Sequence, residues 1–369
     1  MSSIDGAAQG EERLRHIDAM RAIAALLVVW RHVADAFVTP GMRGHWLADV
    51  ADGIDVGRIG VVVFFFVSGY VIPFSIHAER PAAIGAFLIK RFFRIFPAYW
   101  LSLPLGAFAT WWLWGRPFGL RELLVNLTLL QEAFGVPSAQ GGLYWTLLVE
   151  WCFYLLCVAL LHVRSLANPR RLATVATAFA AAAALVFLML KLGRPLADNW
   201  LAFGFLNLSI MFCGTLYRTC IVERAAAGDA PLQFGVRALF VCHAIVFPLV
   251  ALLAFGAQGR IAISYAIAVL LFVGGTSVLP LRSVLTDWLG RISYSIYLFH
   301  PVVFMSLLWW LGRQPADAWW RVQHLGWYLA FNIVLTVALA ELVYRCVEAP
   351  GMRLGRTLAA RWASSRARS

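Results

Sequence analysis

Charged residues are scarce in this chain. Asp, Glu, Lys and Arg together make up 14% of its 369 residues, whereas hydrophobic residues make up 61%. Soluble globular domains carry about 25% charged residues, so this composition excludes an ordinary soluble fold. Together with a mean hydropathy of +0.75, it predicts an integral membrane protein.

Cysteine pairs and cofactor fingerprints are also missing. The six cysteines show no C-x-x-C spacing, and all lie in or beside apolar runs, at Cys152, Cys157, Cys213, Cys220, Cys242 and Cys346. Isolated cysteines of this kind are typical of small buried residues, not of zinc ligands or disulfides. Because a Walker loop, a dinucleotide fingerprint and a zinc pattern are absent too, we expect no metal site and no permanently bound cofactor.

Apolar runs recur along the whole chain at lengths near the roughly 20 residues that span a bilayer. Ten such runs lie at about 17–37, 58–76, 97–114, 143–163, 172–190, 200–217, 236–256, 260–279, 289–311 and 323–346. A shorter stretch, 119–134, carries charged residues and is interpreted as interfacial or re-entrant. The predicted fold class is all-α, a polytopic membrane bundle of about ten transmembrane helices.

Basic residues outnumber acidic ones, 31 to 19, and the net charge is +12. Most of them fall in alternate loops and at the two ends of the chain, so the positive-inside rule places both termini in the cytoplasm. We predict a cytoplasmic N-terminal tail over 1–16, a transmembrane domain over 17–347 and a basic cytoplasmic tail over 348–369. Because this charge lies on the cytoplasmic face, membrane lipids are expected partners and nucleic acid is not.

The first apolar run carries Arg21 and His32. Eleven residues separate them, which on a helix is about 16 Å along one face. Asp18 and Asp35 each lie three residues from one of the pair and are candidate carboxylate neighbours. A charged group in hydrocarbon usually persists only where it faces a protein interior with a function. The alternative is an arginine that snorkels to the head groups and a neutral, structural histidine.

A cluster of cations occurs in KRFFRIFPAYW, from Lys90 to Trp100. Lys90, Arg91 and Arg94 fall within about a 100° arc of a helix, and Pro97 is expected to begin the next span. Cations on one face can hold a phosphate group, especially through arginine forks. The alternative is a surface helix that only anchors the protein to lipid.

A polar stripe runs along the apolar segment LYWTLLVEWCFYLL. Thr146, Glu150 and Tyr154 repeat every four residues and therefore share a helix face. A carboxylate in such a segment is costly unless it is protonated or paired. It can polarise a histidine, or it can be a buried acid bound to the backbone.

A second polar face occurs in GRISYSIYLFHP, where Ser293, Tyr297 and His300 lie on one side of a helix. These groups suit a hydroxyl-rich cavity. They suit equally well the ordinary hydrogen bonds that join membrane helices.

Taken together and in this order, these stretches resemble the acyltransferase-3 family of integral-membrane acyltransferases, from about Arg13 to Arg356. Six motifs carry the resemblance: R-x(10)-H at 21–32, GVVVFFFVSGY at 60–70, R-xx-R-xx-P at 91–97, WTLLVEWCFY at 145–154, GRISYSIYLFH at 290–300 and E-x-P at 348–350. The chain departs from the family pattern in three places. Val62 stands where many members carry an acid, Trp151 replaces a second glutamate, and Lys90 stands where arginine is usual.

The resemblance implies transfer of an acyl group, commonly acetyl from acetyl-CoA as co-substrate, to a hydroxyl of a carbohydrate or lipid-linked glycan of the cell envelope, at the inner membrane. His32 is then the expected general base or acyl carrier, and Glu150 or Asp35 the acid that orients it. The expected acyl-CoA site consists of Arg21, Lys90, Arg91 and Arg94. The expected lining of the acceptor cavity consists of Ser68, Tyr70, Trp145, Thr146, Tyr154, Ser293, Tyr297 and His300.

Two other classes of protein fit parts of this pattern. A glycan or lipid transporter also needs internal charges, and a structural partner of an envelope assembly needs no catalytic histidine. The acceptor stays open among exopolysaccharide, lipopolysaccharide, peptidoglycan-linked glycan and small metabolites, and the acyl group includes larger ones such as succinyl. The oligomeric state is also open, a homodimer included.

Overall fold

Helices make up the described structure, and the described residues contain no strand. The computed structural model describes residues 2–38, 44–76, 82–166, 168–193, 199–222, 241, 245–250, 252–253, 259–278, 281 and 283–366. The helices are α1 (Ser2–Phe37), α2 (His45–Gly53), α3 (Val56–Val71), α4 (Ala83–Thr110), α5 (Leu120–Leu127), α6 (Trp145–His162), α7 (Pro169–Lys191), α8 (Asn199–Leu216), α9 (Phe247–Val250), α10 (Gly259–Val273), α11 (Val284–Arg291), α12 (Ser293–Leu311), α13 (Leu325–Val343) and α14 (Ala349–Arg366). A 3₁₀ turn, Pro73–Ser75, follows α3, and a π-helical turn, Tyr344–Glu348, joins α13 to α14.

Seven described segments are long and apolar enough to cross a membrane, which confirms the all-α polytopic membrane bundle. They are Val56–Ser75, Trp145–His162, Pro169–Lys191, Asn199–Thr219, Gly259–Thr276, Ser293–Leu311 and Leu325–Arg366. Six of them coincide with predicted runs, and Leu325–Arg366 overlaps the run 323–346 and extends beyond it. Of the other three runs, 17–37 belongs to α1, 97–114 begins in the second half of α4, and 236–256 lies mostly outside the described residues. The total of ten and the cytoplasmic placement of both termini stay predictions.

Helix α3 lies at the centre of the bundle, because it packs against α1, α8 and α10 at once. Its sequence is apolar on nearly every face, as expected of a helix surrounded by other helices. Gly69 brings it close to α8, since a Cβ at this position would overlap the carbonyl oxygen of Met211. Small residues of this kind let membrane helices approach closely.

Replacing Gly69 with alanine should destabilise the bundle by about 1–3 kcal/mol, because the new methyl group meets a backbone oxygen that cannot rotate away. Gly204→Ala on α8 is the matched control, since a Cβ there has only Val149 Cγ2 near it, at 3.8 Å. In detergent we expect the Gly69 variant to unfold at a lower temperature than the wild type and the Gly204 variant to match it. Equal thermal stability of the two variants would contradict the close approach of α3 and α8.

The position of α1 turns its polar residues toward other helices. It packs against α3, α11 and α12, and Met20, Ala24 and Val28 are buried in the hydrophobic core. Gly60 of α3 lies directly against the carbonyl of Ala24. Because α12 lies beside α1, the side chain of His32 can reach that helix.

Helix α4 runs without a break from Ala83 to Thr110, so Pro97 does not begin a separate helix. That the membrane span begins at Pro97 stays a prediction. Proline is tolerated inside a membrane helix where neighbouring groups compensate for its missing N–H. Gly351 of α14 packs on the Pro97 ring, since a Cβ there would lie 3.1 Å from Pro97 Cγ. The described part of the predicted tail 348–369 is thus largely helical and packs along α4, and its cytoplasmic position stays a prediction.

The stretch 119–134 forms α5 and the turns after it, and it contains no helix long enough to cross a membrane. Asn126, which is fully buried, joins α5 to the loop that leads into α6. Its amide donates to the Pro137 carbonyl at 2.9 Å, and its Oδ1 accepts from the Ala139 N–H at 3.0 Å. The loop is therefore fixed against the end of the bundle that includes the start of α6.

Candidate active site

A cavity opens between α1, α3, α4, α6 and α12. Its volume is about 840 Å³ when the solvent-filled space at its open mouth is included. Its polar lining consists of three arginines, one carboxylate and five hydroxyl groups: Arg21, Arg91, Arg94, Glu150, Ser68, Thr146, Tyr154, Tyr294 and Tyr297. All of these except Tyr294 are candidate site residues from the sequence.

Arg94 is bound in a buried ion pair. Its guanidinium pairs with the carboxylate of Glu348, which is fully buried. The second oxygen of that carboxylate accepts from the Ser295 hydroxyl at 2.6 Å, and Arg94 lies 5.6 Å from the ring centroid of Tyr294. Because Glu348 offsets the charge of Arg94, this arginine offers less to an anionic ligand than the sequence predicts.

Arg91 and Arg21 line the cavity and form no direct ion pair in the described part of the chain, although Asp18, Glu150 and Glu348 lie close enough to offset part of the charge of Arg21. Arg91 donates to the Ser75 hydroxyl at 2.6 Å, and its guanidinium lies 5.3 Å from the ring centroids of both Phe87 and Tyr154. An arginine that lies over aromatic rings and uses one N–H for a hydroxyl keeps further N–H donors for a ligand. Lys90, the remaining predicted cation, is exposed and lies outside the cavity lining.

Glu150 lines the same cavity as these arginines. Its Oε1 accepts two hydrogen bonds, from the Tyr154 hydroxyl at 2.7 Å and from the Ser68 hydroxyl at 3.3 Å. The polar stripe of α6 is therefore real, and it joins α6 to α3. The carboxylate is used in this network and forms no hydrogen bond or ion pair with His32.

Tyr297 of α12 also lines the cavity. Its hydroxyl lies 2.7 Å from the Thr146 hydroxyl and donates to the Leu143 carbonyl at 3.2 Å. These contacts hold α12 against the start of α6. The ring of Tyr297 also meets the edge of Phe64, at 5.8 Å between centroids and an interplanar angle of 72°.

His32 pairs with His300 just beyond Tyr297. Nδ1 of His32 lies 2.9 Å from the Val28 carbonyl oxygen and 3.3 Å from Nε2 of His300. His300 is fully buried, and its ring centroid lies 5.0 Å from that of His32 and 6.0 Å from that of Tyr297. His32 does not line the cavity, but the histidine pair and the cavity share Tyr297 as a neighbour.

Asp35 takes part in an ion network at one end of α1 and does not contact His32. Arg31 binds both Asp35 and Asp52 at 3.1 Å, and Asp55 lies 4.0 Å from its Nε. The side chain of Asp35 is about half exposed, at 51%. The spacing of four residues explains the pairing of Asp35 with Arg31, so the predicted role of an acid in orienting His32 has no contact to support it.

Four predicted cavity residues, Tyr70, Trp145, Ser293 and His300, are outside the lining. Tyr70 is buried beside Arg218, whose guanidinium lies 5.3 Å from its ring centroid. Trp145 is partly buried and lies 6.0 Å from the guanidinium of Arg58. Ser293 is buried near the N-terminus of α12, and its hydroxyl has no hydrogen-bond partner among the described residues.

Sequence reasoning missed Glu348 and Tyr294 as parts of the site. Glu348 lies in the E-x-P motif and was visible there, but its partner Arg94 is 254 residues away in the chain. Tyr294 donates to the Ile95 carbonyl at 2.9 Å, and its only sequence signal is its position in the late-helix motif. Ser75 follows the second-helix motif and had no signal.

Comparison with known proteins matches the chain to one family model and to several similar proteins. The model of the acyltransferase-3 family, described as an acyltransferase domain, matches residues 14–345. Nodulation protein 10 of Rhizobium leguminosarum bv. viciae is 25% identical over 385 residues, which cover 94% of this chain and 95% of that protein. No solved structure matches the chain significantly.

Two further relatives carry chemical names. A Komagataeibacter xylinus protein, whose name proposes it as the membrane-bound transacylase BcsY, is 26% identical over 93% of this chain and 84% of its own length. A Bacillus subtilis (strain 168) protein, whose name proposes it as the peptidoglycan O-acetyltransferase YrhL, is 23% identical over 90% of this chain. The match covers 54% of the length of that protein.

Proposed function

The chain belongs to the acyltransferase-3 family, and from this premise we propose that it moves an acyl group from acyl-CoA to a hydroxyl of a cell-envelope carbohydrate. That it is a multi-pass membrane acyltransferase rests on the family match and the seven apolar helices. The finer proposal names acetyl-CoA as the donor, a carbohydrate or lipid-linked glycan as the acceptor, and the inner membrane as the location. The observation that carries it is a cavity lined by arginines whose neighbour is a pair of histidines, His300 fully buried and His32 partly buried.

The arginine end of the cavity suits the phosphates of coenzyme A. Arg91 and Arg21 have donors available, and a phosphate bound by arginine forks gains charge-assisted hydrogen bonds that are about twice as strong as neutral ones. In this proposal the phosphates lie at Arg91 and Arg21, with Lys90 outside the mouth. The pantetheine arm then lies in the cavity and points toward Tyr297.

His32 suits the role of general base. A carbonyl oxygen can only accept, so the contact of Nδ1 with the Val28 carbonyl places the ring proton on Nδ1 and leaves a lone pair on Nε2. In the proposed reaction the acceptor oxygen forms a bond to the acyl carbonyl carbon, its proton passes to Nε2, and the thioester C–S bond breaks. The proton then passes to the departing CoA thiolate, so the histidine returns to its starting state.

Tyr297 lines the cavity, and its ring centroid lies 6.0 Å from that of His300. We infer that its side chain stands between the cavity and the histidine pair. For direct transfer at His32 the acyl group has to pass its side chain, which is held by Thr146 and the Leu143 carbonyl. An acyl-histidine intermediate would need the same passage, so both mechanisms require the Tyr297 ring to move or the acyl chain to slide beside it.

Assay of purified protein in lipid nanodiscs tests the function. With acetyl-CoA and a fraction of envelope glycans we expect release of free CoA that depends on the acceptor, and a mass increase of one acetyl group on the product. A transporter or a structural partner would release no CoA and leave the glycan mass unchanged. Comparison of exopolysaccharide, lipopolysaccharide and peptidoglycan fractions identifies the acceptor class.

Replacing Arg91 with alanine should raise the KM for acetyl-CoA about tenfold or more, with a smaller change in kcat, because a charge-assisted phosphate contact is worth about 1.5–3 kcal/mol. Lys90→Ala should raise it less than about threefold, since an exposed ammonium is screened by solvent and salt. Arg345→Ala, which removes an exposed arginine outside the cavity, is the control. An unchanged KM in the Arg91 variant would remove that residue from the donor site.

A further inference from the structure

The contact between His32 and His300 has a directional pattern that the sequence does not show. On the basis of the proposed function, we infer that His300 is the positioning residue for His32: it accepts the Nδ1–H of that imidazole and holds its Nε2 toward the reacting groups. His300 thereby takes the place of the carboxylate that usually orients a catalytic histidine.

A backbone contact indicates that the proton of His300 is on Nδ1. Its Nδ1 lies 2.7 Å from the carbonyl oxygen of Tyr297. In a helix that oxygen would accept the N–H of the residue four positions later, but this residue is Pro301, which has no N–H. The carbonyl is therefore open to a side-chain donor, and the Nδ1–H of His300 fills the position. Nε2 of His300 is left as an acceptor.

The neighbours of His32 indicate that its proton is on Nδ1 as well. Both groups near its Nδ1 are acceptors, the Val28 carbonyl at 2.9 Å and Nε2 of His300 at 3.3 Å. The Nδ1–H is therefore shared between them, with the longer branch to His300. Each imidazole has one proton with an acceptor in place, and the only unshared ring nitrogen of the pair is Nε2 of His32.

The imidazole ring of His32 also has an aromatic neighbour. Phe304, one turn after His300 on α12, stacks on His32 with an interplanar angle of 16° and a centroid distance of 6.1 Å. Acceptors on α1 and α12 thus fix the edge of the imidazole, and an aromatic ring covers its face. With the Val28 carbonyl as its only acceptor, the ring would be free to pivot about that one hydrogen bond.

The arrangement also favours the charge that develops during transfer. When Nε2 of His32 takes the proton of the acceptor hydroxyl, the positive charge is delocalised onto Nδ1–H. That group faces the lone pair of a neutral, fully buried imidazole in a water-poor interior, where such fixed dipoles act strongly. His300 should therefore contribute to kcat and leave the KM for acetyl-CoA nearly unchanged.

Two variants of similar size separate positioning from packing. In His300→Gln the amide oxygen can take the place of Nε2 and accept from His32, whereas His300→Leu fills the space without an acceptor. Normalised to folded protein, we expect the leucine variant to lose about 10- to 100-fold in kcat and the glutamine variant to stay within about fivefold of the wild type. A leucine variant within threefold of the wild type, or equal losses in both variants, would overturn the inference.

A second measurement decides the matter if the leucine variant does not fold. In wild-type protein labelled with ¹⁵N-histidine, the nitrogen shifts of His32 and His300, assigned through His32→Ala and His300→Gln, should both report protonated Nδ1. An Nε2–H on either ring would overturn the inference. The outcome is distinct from failure of the proposed function: if His32→Ala is inactive and His300→Leu is active, only the role of His300 is wrong, whereas an active His32→Ala variant removes the proposed base itself.

Discussion

Replacing His32 with alanine should abolish acyl transfer, with a loss of about 10²- to 10⁴-fold in kcat. This is the range that a positioned general base contributes. The variant should still insert and fold, because His32 is only partly buried and its replacement leaves the contact between His300 and Phe304 in place. Acetyl-CoA affinity should change little, since the arginine end of the cavity is untouched.

The matched control is His162→Ala. His162 is an exposed histidine in the last turn of α6, so its loss should leave turnover unchanged. The measurement is acceptor-dependent release of CoA at equal amounts of folded protein. Product formation by the His32 variant at the level of the His162 variant would end the assignment of His32 as the base.

Replacing Glu348 with alanine should give the largest loss of stability. Glu348 is the only carboxylate bound to Arg94 among the described residues, and removing one partner of a buried ion pair costs about 3–5 kcal/mol because a charge is left without compensation. The Ser295 hydroxyl would lose its acceptor as well. We expect little folded protein in detergent and a markedly lower unfolding temperature for what remains.

A double variant, Arg94→Met with Glu348→Leu, separates the structural role of this pair from donor binding. Replacing both members of a buried pair by apolar side chains is often neutral for stability, so the double variant should recover much of the folded protein. If Arg94 also binds the phosphates of acetyl-CoA, as its sequence motif predicts, the recovered protein will show a raised KM for the donor. An unchanged KM would leave Arg94 as a purely structural residue, and normal stability of Glu348→Ala would contradict the importance of the pair.

The sequence predicted the membrane bundle well because its signal is local. A run of about 20 apolar residues identifies a span without knowledge of its neighbours, and six of the ten runs coincide with apolar helices of the right length, while a seventh overlaps a longer one. The continuity of α4 through Pro97 was not visible in the sequence, because proline breaks a helix in water but is tolerated inside a membrane helix where neighbouring groups compensate. The packing partner of Pro97, Gly351, lies far away in the chain.

The candidate site was predicted residue by residue more accurately than contact by contact. Helical periodicity placed Thr146, Glu150 and Tyr154 on one face, and all three line the cavity. Periodicity says nothing about which face of another helix lies opposite. His32 and His300 are 268 residues apart in the chain. Sequence patterns therefore identified both histidines but predicted separate roles for them.

The choice of an acid that orients His32 stays a prediction, and no hydrogen bond or ion pair joins Asp35 or Glu150 to His32 in the described structure. Asp35 lies close to His32 in the chain, yet its nearest cation on the helix is Arg31, four residues before it. Glu150 lies on a helix that faces α3, where Ser68 binds its carboxylate. In both cases the charge was visible in the sequence and its partner was decided by tertiary packing.

The most direct test of the account is a structure of the protein with an acetyl-CoA analogue in which a methylene group replaces the thioester sulfur. The account predicts the phosphates at Arg91 and Arg21, the Tyr297 side chain displaced, and the acyl carbonyl close enough to Nε2 of His32 for one acceptor oxygen to lie about 3 Å from each. If the carbonyl stays on the Glu150 side of an unmoved Tyr297, or the analogue binds outside this cavity, the cavity and the histidine pair do not form one active site.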